Sequence, residues 1–367
     1  MKLLKTYQFR LYPTKKQVRA LQNSLNACRW VYNKTLETRK QAWEERKESL
    51  GYYDTVKLIP IWKEAKPDLA NAYSQCLQTA QLRVDLAFKS FFRRVKKGAT
   101  PGYPRFKGVD RYDSFTYPQT GFQIIDNRLK LSKIGSVKIK KSREIEGVVK
   151  TLMVRRSGEK WYANFGCEIE PNILPKTESV TGIDMGLASF ATLSTGEKID
   201  NPRFFRTSKK KLAKAQRRLS KATKRNPDRK KQRRKVANIH TKIANKRKDF
   251  AHKLSRKLVN KYQVIVFEKL DIQQMQDNHL KGMNKSISDA AWNQFIQYTI
   301  YKAEYAGRTV VCVDPHNTSK MCSRCGQIVE KDLSCRIHSC SCGLVLDRDH
   351  NASINILALG IQCLAKA

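Results

Sequence analysis

The sequence predicts an α/β domain in its C-terminal half and a β lobe with a helical insertion ahead of it. Three observations predict this. Apolar runs ending in acidic residues recur after residue 176, short alternating runs fill residues 99–175, and two long stretches of helical period lie within residues 13–98.

Leu3 to Leu11 alternates as a strand does, and it is placed to complete the sheet or small antiparallel barrel of the later β segment. Residues 1–12 plus 99–175 then form one β unit, and residues 13–98 are a helical subdomain inserted into it. Pro13-Thr14 opens the first helix, with Thr14 and Gln17 spaced as a capping box. Val18, Leu21, Leu25, Cys28, Tyr32 and Leu36 follow at helical spacing. A second helix runs from Leu69 through Tyr73, Cys76, Leu77, Ala80, Val84, Phe88, Phe91 and Phe92, and ends in Arg93, Arg94, Lys96 and Lys97. A stripe at this spacing reads as core packing rather than base stacking. In the β segment the runs are Ser136 to Ile139, Val148 to Val154 and Trp161 to Ile169, with a hairpin turn at Ser157 to Lys160.

Charge narrows the partners. The 73 Lys and Arg against 32 Asp and Glu leave a formal charge of +41, far beyond what solubility requires, so a polyanion is expected to neutralise the surface. Nucleic acid is the default. No apolar run approaches the ~18 to 20 residues of a membrane span. The N-terminus lacks the apolar stretch of a secretory signal, which places the protein in the cytoplasm. Residues 203–257 hold 24 Lys or Arg and only two acids, Asp228 and Asp249. Leu212, Ala215, Leu219, Val236, Ile239, Ile243, Leu254 and Leu258 keep an apolar stripe through this region. It reads as a basic helical hairpin over residues 203–260, broken near Asn226-Pro227 and suited to phosphate contact.

Three acids stand where chemistry is expected. Asp184 follows the apolar strand of Ser179 to Gly186, Glu268 ends the buried run Tyr262 to Leu270, and Asp349 precedes a helical pattern of Ala352, Ile356 and Leu359. Carboxylates at strand ends and a helix start can converge at a sheet edge. Three such groups suit two hard divalent cations, one activating water and one stabilising the leaving oxygen of a phosphodiester attack. Each acid alone is weak evidence, since an Asp after a strand is commonly a turn or cap residue.

Half of the ten cysteines crowd into a short C-terminal window. Cys322-x-x-Cys325-Gly326 and Cys340-x-Cys342-Gly343 have the spacing of two knuckles around one tetrahedral Zn²⁺, over residues 316–346. The shorter second spacing leaves Cys335 or His338 open as a replacement for Cys340. Four thiolates leave no position for water, so this zinc is structural. Cys28, Cys76, Cys167, Cys312 and Cys363 read as small buried hydrophobes. His240, His252, His279, His316 and His350 receive no assigned role.

The motifs G-I-D-M-G, V-F-E-K-L, T-S-x-x-C-S-x-C-G and D-R-D-H-N-A-S-I-N-I resemble those of the TnpB (OrfB) proteins of insertion-sequence transposons, relatives of type V CRISPR effectors. K-x-Y-x-F-R-L-Y-P at the start and G-Y-P-R-F-K at Gly102 to Lys107 are also similar. The resemblance runs the full chain. It implies an RNase H-like (RuvC) nuclease domain over residues 176–367 with an inserted zinc ribbon, a wedge-type barrel and a helical recognition subdomain. It also implies Asp184, Glu268 and Asp349 as ligands of catalytic Mg²⁺, a guide RNA transcribed from the transposon end, and double-stranded DNA as the cut target, with a monomer favoured. Asp347 shares the D-R-D motif, but Asp349 directly precedes the N-A element. Ser353 departs from the usual second alanine and is expected to be tolerated. A non-cleaving accessory of transposition is disfavoured by the intact acids. A strand-transfer transposase is disfavoured because the sequence shows no separate helix-turn-helix domain.

Overall fold

The computed structural model describes residues 2–223, 226–277, 281–332 and 335–366. His279 and two cations of the basic run, Lys224 and Arg225, lie outside them. The chain divides into two units, Met1–Glu170 and Pro171–Ala367.

The first unit begins with β1 (Leu3–Tyr12), then α1 (Lys15–Arg46), α2 (Tyr52–Val56), α3 (Ile59–Ala65) and α4 (Ser74–Lys96). Thr14 caps α1: its hydroxyl accepts from Gln17 N–H, while the Gln17 side chain accepts from Thr14 N–H. The second long helix starts at Ser74 rather than Leu69, because Leu69 belongs to a short 3-10 turn and Tyr73 is the extended cap residue. Six strands follow: β2 (Ser114–Tyr117), β3 (Phe122–Ile125), β4 (Arg128–Leu131), β5 (Gly135–Lys140), β6 (Val148–Ser157) and β7 (Lys160–Ile169).

These strands and β1 form one antiparallel sheet in the order β2-β6-β7-β1-β5-β4-β3. Its hydrogen-bonded ladder does not close into the barrel that the alternation suggests; β2 and β3 are its edges. Side chains draw the edges together instead, since the Tyr117 ring lies 6.3 Å from Phe122 and its hydroxyl donates to Ser132 O. Alternation puts Tyr7, Phe9, Leu11, Ala163 and Phe165 on the buried face.

The second unit contains β8 (Val180–Met185), β9 (Ser189–Leu193), β10 (Lys198–Asp200), α5 (Phe204–Lys221), α6 (Pro227–Lys261), β11 (Val264–Glu268), α7 (Ile272–Asp277), α8 (Lys281–Ala290), α9 (Trp292–Ala306) and β12 (Thr309–Val313). A two-stranded hairpin, β13 (Ile337–Ser339) and β14 (Val345–Asp347), leads into α10 (Arg348–Ala365). The main sheet runs β10-β9-β8-β11-β12, with β9 antiparallel to its neighbours and β8, β11 and β12 parallel. Asn226 caps α6, whose first residue is Pro227. Buried Asp289 of α8 pins the basic hairpin, accepting from Phe205 N–H of α5 and from Arg247 of α6.

The two sheet faces are covered differently. Ile183, Ile265 and Phe267 point into a core built with Leu254 and Leu258 of α6 and Trp292 and Phe295 of α9. By the two-residue period of a strand, Gly182, Asp184, Val266 and Glu268 face the other way. There Val266, Val313 and Ile356 make a smaller core with α10. Two glycines set how near that helix comes. A Cβ on Gly182 would lie 2.2 Å from Ser353 O, and one on Gly360 would lie 2.4 Å from Val266 Cγ2.

Cys28, Cys76 and Cys167 are buried as expected of small hydrophobes, but Cys312 and Cys363 are exposed. Both lie outside the strand and helix faces that carry the cores, which apolar neighbours in sequence do not reveal. Among the described residues no helix is long and apolar enough to cross a membrane.

The glycine contact generates a test. Gly182→Ala should lower the stability of the protein by about 1–3 kcal/mol, the range for overpacking. Gly108→Ala, with nothing within 4 Å of its Cβ, should leave it unchanged. Equal melting temperatures for G182A and G108A would refute this account of α10.

Candidate catalytic centre and cysteine module

Asp184 and Glu268 stand at the ends of adjacent parallel strands, one step beyond the register pair Phe267–Ile183. The closely packed α10 brings Asp349 in from above, in its first helical turn. Glu268 is buried and Asp184 partly so. Burial raises the Asp184 pKa well above the usual carboxylate range, and the charges of Glu268 and Asp349 raise it further while Arg348 opposes them. Burial likewise pushes Glu268 up to about 7, with Asp184 within hydrogen-bonding reach. The three acids therefore share one electrostatic site. An all-oxygen donor set whose charges repel one another in a desolvated place is what a hard divalent cation relieves.

Asp347 has a different task. Its carboxylate caps α10, accepting from Asp349 N–H and His350 N–H at 3.1 Å each, and it pairs with Lys198 at 2.7 Å. His350, unassigned by sequence, reaches Ser194 O with its Nε2, so the β9–β10 turn and the helix start hold each other. Ser353 is buried and donates to His350 O, which satisfies the hydroxyl that replaces an alanine.

The Sγ atoms of Cys322, Cys325, Cys340 and Cys342 lie within 4.8 Å of one another and could hold a metal ion. Gly326 and Gly343 adopt left-handed backbone just after the two knuckles, as their turns require. Cys335 stands apart, exposed and donating to Ile337 O. His338 is fully buried and bonds Lys331 through Nδ1. Burial disfavours the Cys322 thiolate, but backbone N–H groups of Cys325 and Arg324 and the His338 ring bring it down to about 5. A Gln327 N–H favours the Cys325 thiolate, yet the neighbouring sulfurs push it up to about 12. Four thiols that compete for protons in this way could serve as the donor set of a tetrahedral soft-metal site.

Sequence reasoning missed two residues that join module to helix. Asn351 and Asn355, one turn apart and both buried, point from α10 into the first knuckle. Asn351 accepts from Ser323 N–H and donates to Met321 O, and Asn355 donates to Thr318 O and Met321 O. Two amides on the apolar face of a helix were the available signal. Arg348, beside Asp184, was hidden because charge proximity across 164 positions has no sequence mark.

Fold and site together define a carboxylate-centred α/β protein with an appended four-cysteine module. Comparison makes this more specific. Residues 164–279 match a family described as "Probable transposase", residues 292–356 the "Cas12f1-like, TNB domain", and residues 1–48 a "Helix-turn-helix domain". The chain is 36% identical over 370 residues to a "Putative RNA-guided DNA endonuclease" of Streptomyces pristinaespiralis, across 98% of this chain and 90% of that protein. It is 32% identical over 385 residues to "Putative RNA-guided DNA endonuclease InsQ" of Escherichia coli, across 100% and 94%. The solved Cas12f1-sgRNA-target DNA complex superposes with a TM-score of 0.61 at 13% identity, covering 97% of this chain and 98% of that one, so the fold is shared. The chain belongs to the TnpB (OrfB) family. The helix-turn-helix match does not describe a two-helix fold here, since residues 2–48 form β1 and the unbroken α1.

Two tests follow from the geometry. Glu268 favours folding while protonated, because its folded-state pKa is raised from 4.5 to about 7. That contribution is fully present below about pH 4.5 and is lost as pH rises through 7, by at most about 3 kcal/mol. Metal-free protein should thus melt lower at pH 8 than at pH 5.5, and Glu268→Gln should remove much of the difference. An unchanged pH dependence in E268Q would rule this out. Elemental analysis should find one zinc per chain, retained in Cys335→Ser and lost in Cys340→Ser; the reverse pattern would transfer the fourth ligand to Cys335.

Proposed function

We propose that this chain is a transposon-encoded, RNA-guided DNA endonuclease that hydrolyses phosphodiester bonds of double-stranded DNA. The observation that carries the reading is the convergence of Asp184, Glu268 and Asp349 from two strand ends and a helix start. The two relatives described as putative RNA-guided DNA endonucleases support the guided activity. In this reading residues 176–367 are the RuvC/RNase H-like domain, with the zinc ribbon at 316–346. Residues 1–12 with 99–175 are the wedge-like lobe and residues 13–98 the recognition subdomain. The partners are a guide RNA from the transposon end and the target duplex.

Asp184, Glu268 and Asp349 would hold Mg²⁺, two ions in all, and Cys322, Cys325, Cys340 and Cys342 a structural Zn²⁺. Bound Mg²⁺ supplies activation of a water and neutralisation of charge on the scissile phosphate. The chain's own groups do the rest. Asp347 fixes the helix start, so the Asp349 carboxylate is left free of capping. The Arg348 charge favours the ionised form of Asp184, while its guanidinium donates to Asp332 O and Cys335 O. The basic helices α5 and α6 attract the polyanion along its backbone, which carries no sequence information.

The protein should be expressed with the DNA flanking its gene, any co-purifying RNA sequenced, and the complex offered matching duplex with Mg²⁺. Discrete RNA, cleavage lost with EDTA, and loss of cleavage but not of binding in Asp184→Ala, Glu268→Gln and Asp349→Ala are the expected results. Absence of RNA and of cutting would put the non-cleaving accessory role in its place. Binding should also weaken steeply between 50 and 200 mM salt, roughly 10³-fold or more if six or more phosphates are contacted. A flat salt dependence would contradict the role given to the basic helices.

A further inference from the structure

Each half of the cysteine module reaches α10 by its own route. Asn351, in the first turn of the helix, is fully buried and brackets Cys322 in the chain: it accepts from Ser323 N–H at 3.0 Å and donates to Met321 O at 2.7 Å. Asn355 lies one turn further on and donates to the same Met321 carbonyl at 2.7 Å and to Thr318 O at 2.8 Å. Met321 O thus accepts from both amides, which fills its two lone pairs. The second route runs through the chain itself. β14 passes directly into α10, with Asp347 as last strand residue and helix cap, and the turn that holds Cys340 and Cys342 joins β13 to β14. Arg348 N–H donates to Arg336 O at 2.8 Å, and its guanidinium donates to Asp332 O and Cys335 O. An ion held by all four sulfurs would close the two routes into one frame around the start of the helix.

What such a frame fixes is the angle of α10. Successive helical residues are turned by about 100°, so Asn351 points almost opposite to Asp349 around the axis. A helix with its side chains is about 10–12 Å across, so the Asp349 carboxylate rides roughly 5–6 Å from the axis, and a rotation of about 10° displaces it by about 1 Å. Mg²⁺ demands near-ideal octahedral geometry at about 2.0–2.1 Å, and an error of about 1 Å is enough to spoil such a site. The contacts at Gly182 and Gly360 set how far α10 lies from the sheet. Directional bonds set its rotation, because a hydrogen bond weakens steeply as its donor turns away.

We propose that Asn351 and Asn355 are positioning residues for the catalytic ions, and that through them occupancy of the cysteine site raises the affinity of the carboxylate centre for its divalent cation. The two metal sites are then thermodynamically linked: each favours the one setting of α10 that the other needs, and by the same factor. A protein built this way releases its catalytic ions when zinc is withdrawn. The inference rests on the readings of both sites given above.

The test is a Mn²⁺ titration of the full-length protein, read by electron paramagnetic resonance, with the binding that is lost in Asp184→Ala taken as the centre. Asn351→Ala and Asn355→Ala should each weaken that binding roughly tenfold or more, the scale for groups that orient metal ligands, with the zinc content unchanged. In an Asp349→Ala background the same substitutions should change it less than about twofold, because their effect passes through Asp349. A merely structural defect would lower the affinity equally in both backgrounds. Stripping zinc from the parent protein should weaken Mn²⁺ binding by a similar factor and returning zinc should restore it, which keeps the test open should N351A fail to fold. Undiminished Mn²⁺ affinity in the zinc-stripped parent or in N355A, or equal losses with and without Asp349, would overturn the proposal. A parent that binds no Mn²⁺ through Asp184, or no zinc, overturns instead the reading of that site, and this is recognised before any variant is compared.

Discussion

The close seat of α10 on the sheet is the contact on which the candidate centre depends. Two of its acids ride on strands and the third on a helix, so their separation is set by how near the helix backbone comes. Side-chain packing alone keeps a helix about 10 Å from a sheet, on the scale of ordinary layer spacings. At Gly182 the Ser353 carbonyl occupies the space a Cβ would need, and at Gly360 a valine of β11 does the same from the other side. One glycine on each partner brings the layers together at both ends of the contact. The cost is the conformational freedom glycine loses in a strand and a helix. A packed face on which Ile356, Val266 and Val313 are buried offsets it.

That proximity creates an electrostatic problem which the rest of the unit does not solve by itself. Asp184 and Glu268 are desolvated and within reach of one another, and both are pushed toward the protonated state. The charge of Arg348 is felt at Asp184 while its guanidinium donates to Asp332 O and Cys335 O, and Lys198 is already paired with Asp347. A protein with 73 basic residues could have neutralised this cluster internally. Leaving the acids to repel one another is what the proposed role of the cluster, holding an external cation, would require. The same economy appears in the basic hairpin, where two acids stand among two dozen cations and α5 contains none.

How much of this the sequence shows depends on the range of the interaction. Local devices are legible: the Thr14–Gln17 capping box, the Asn226-Pro227 break and the knuckle glycines all act within a few residues, and each appears in the structure. The acids are legible as candidates because three of them, two at the ends of apolar runs and one at a helix start, recur in one half of the chain. Their convergence is not, since it depends on strand register and on glycines whose contacts lie far away in the chain, Gly182 against Ser353 and Gly360 against Val266. Closure of the first sheet is likewise illegible, because alternation defines a buried face but not whether the last two strands exchange hydrogen bonds. Phe92, expected in the core but 55% exposed, shows the limit most simply: a helical stripe predicts burial only as far as there is something to pack against.

The cysteine module illustrates why a part without catalytic groups matters to the chemistry. The knuckle segment is tied to α10 by Asn351 and Asn355, whose amides accept from and donate to the backbone of residues 318–323. Buried amides of this kind stabilise one arrangement strongly and tolerate others poorly, because each misplaced group would be left without a partner. The module therefore fixes the rotation and height of the helix whose first turn carries Asp349. A metal ion that orders the knuckles would act on the centre through this helix, without contact to any reacting atom. The site then depends on two separate forms of order: glycines that set the distance of α10 from the sheet, and asparagines that set its orientation.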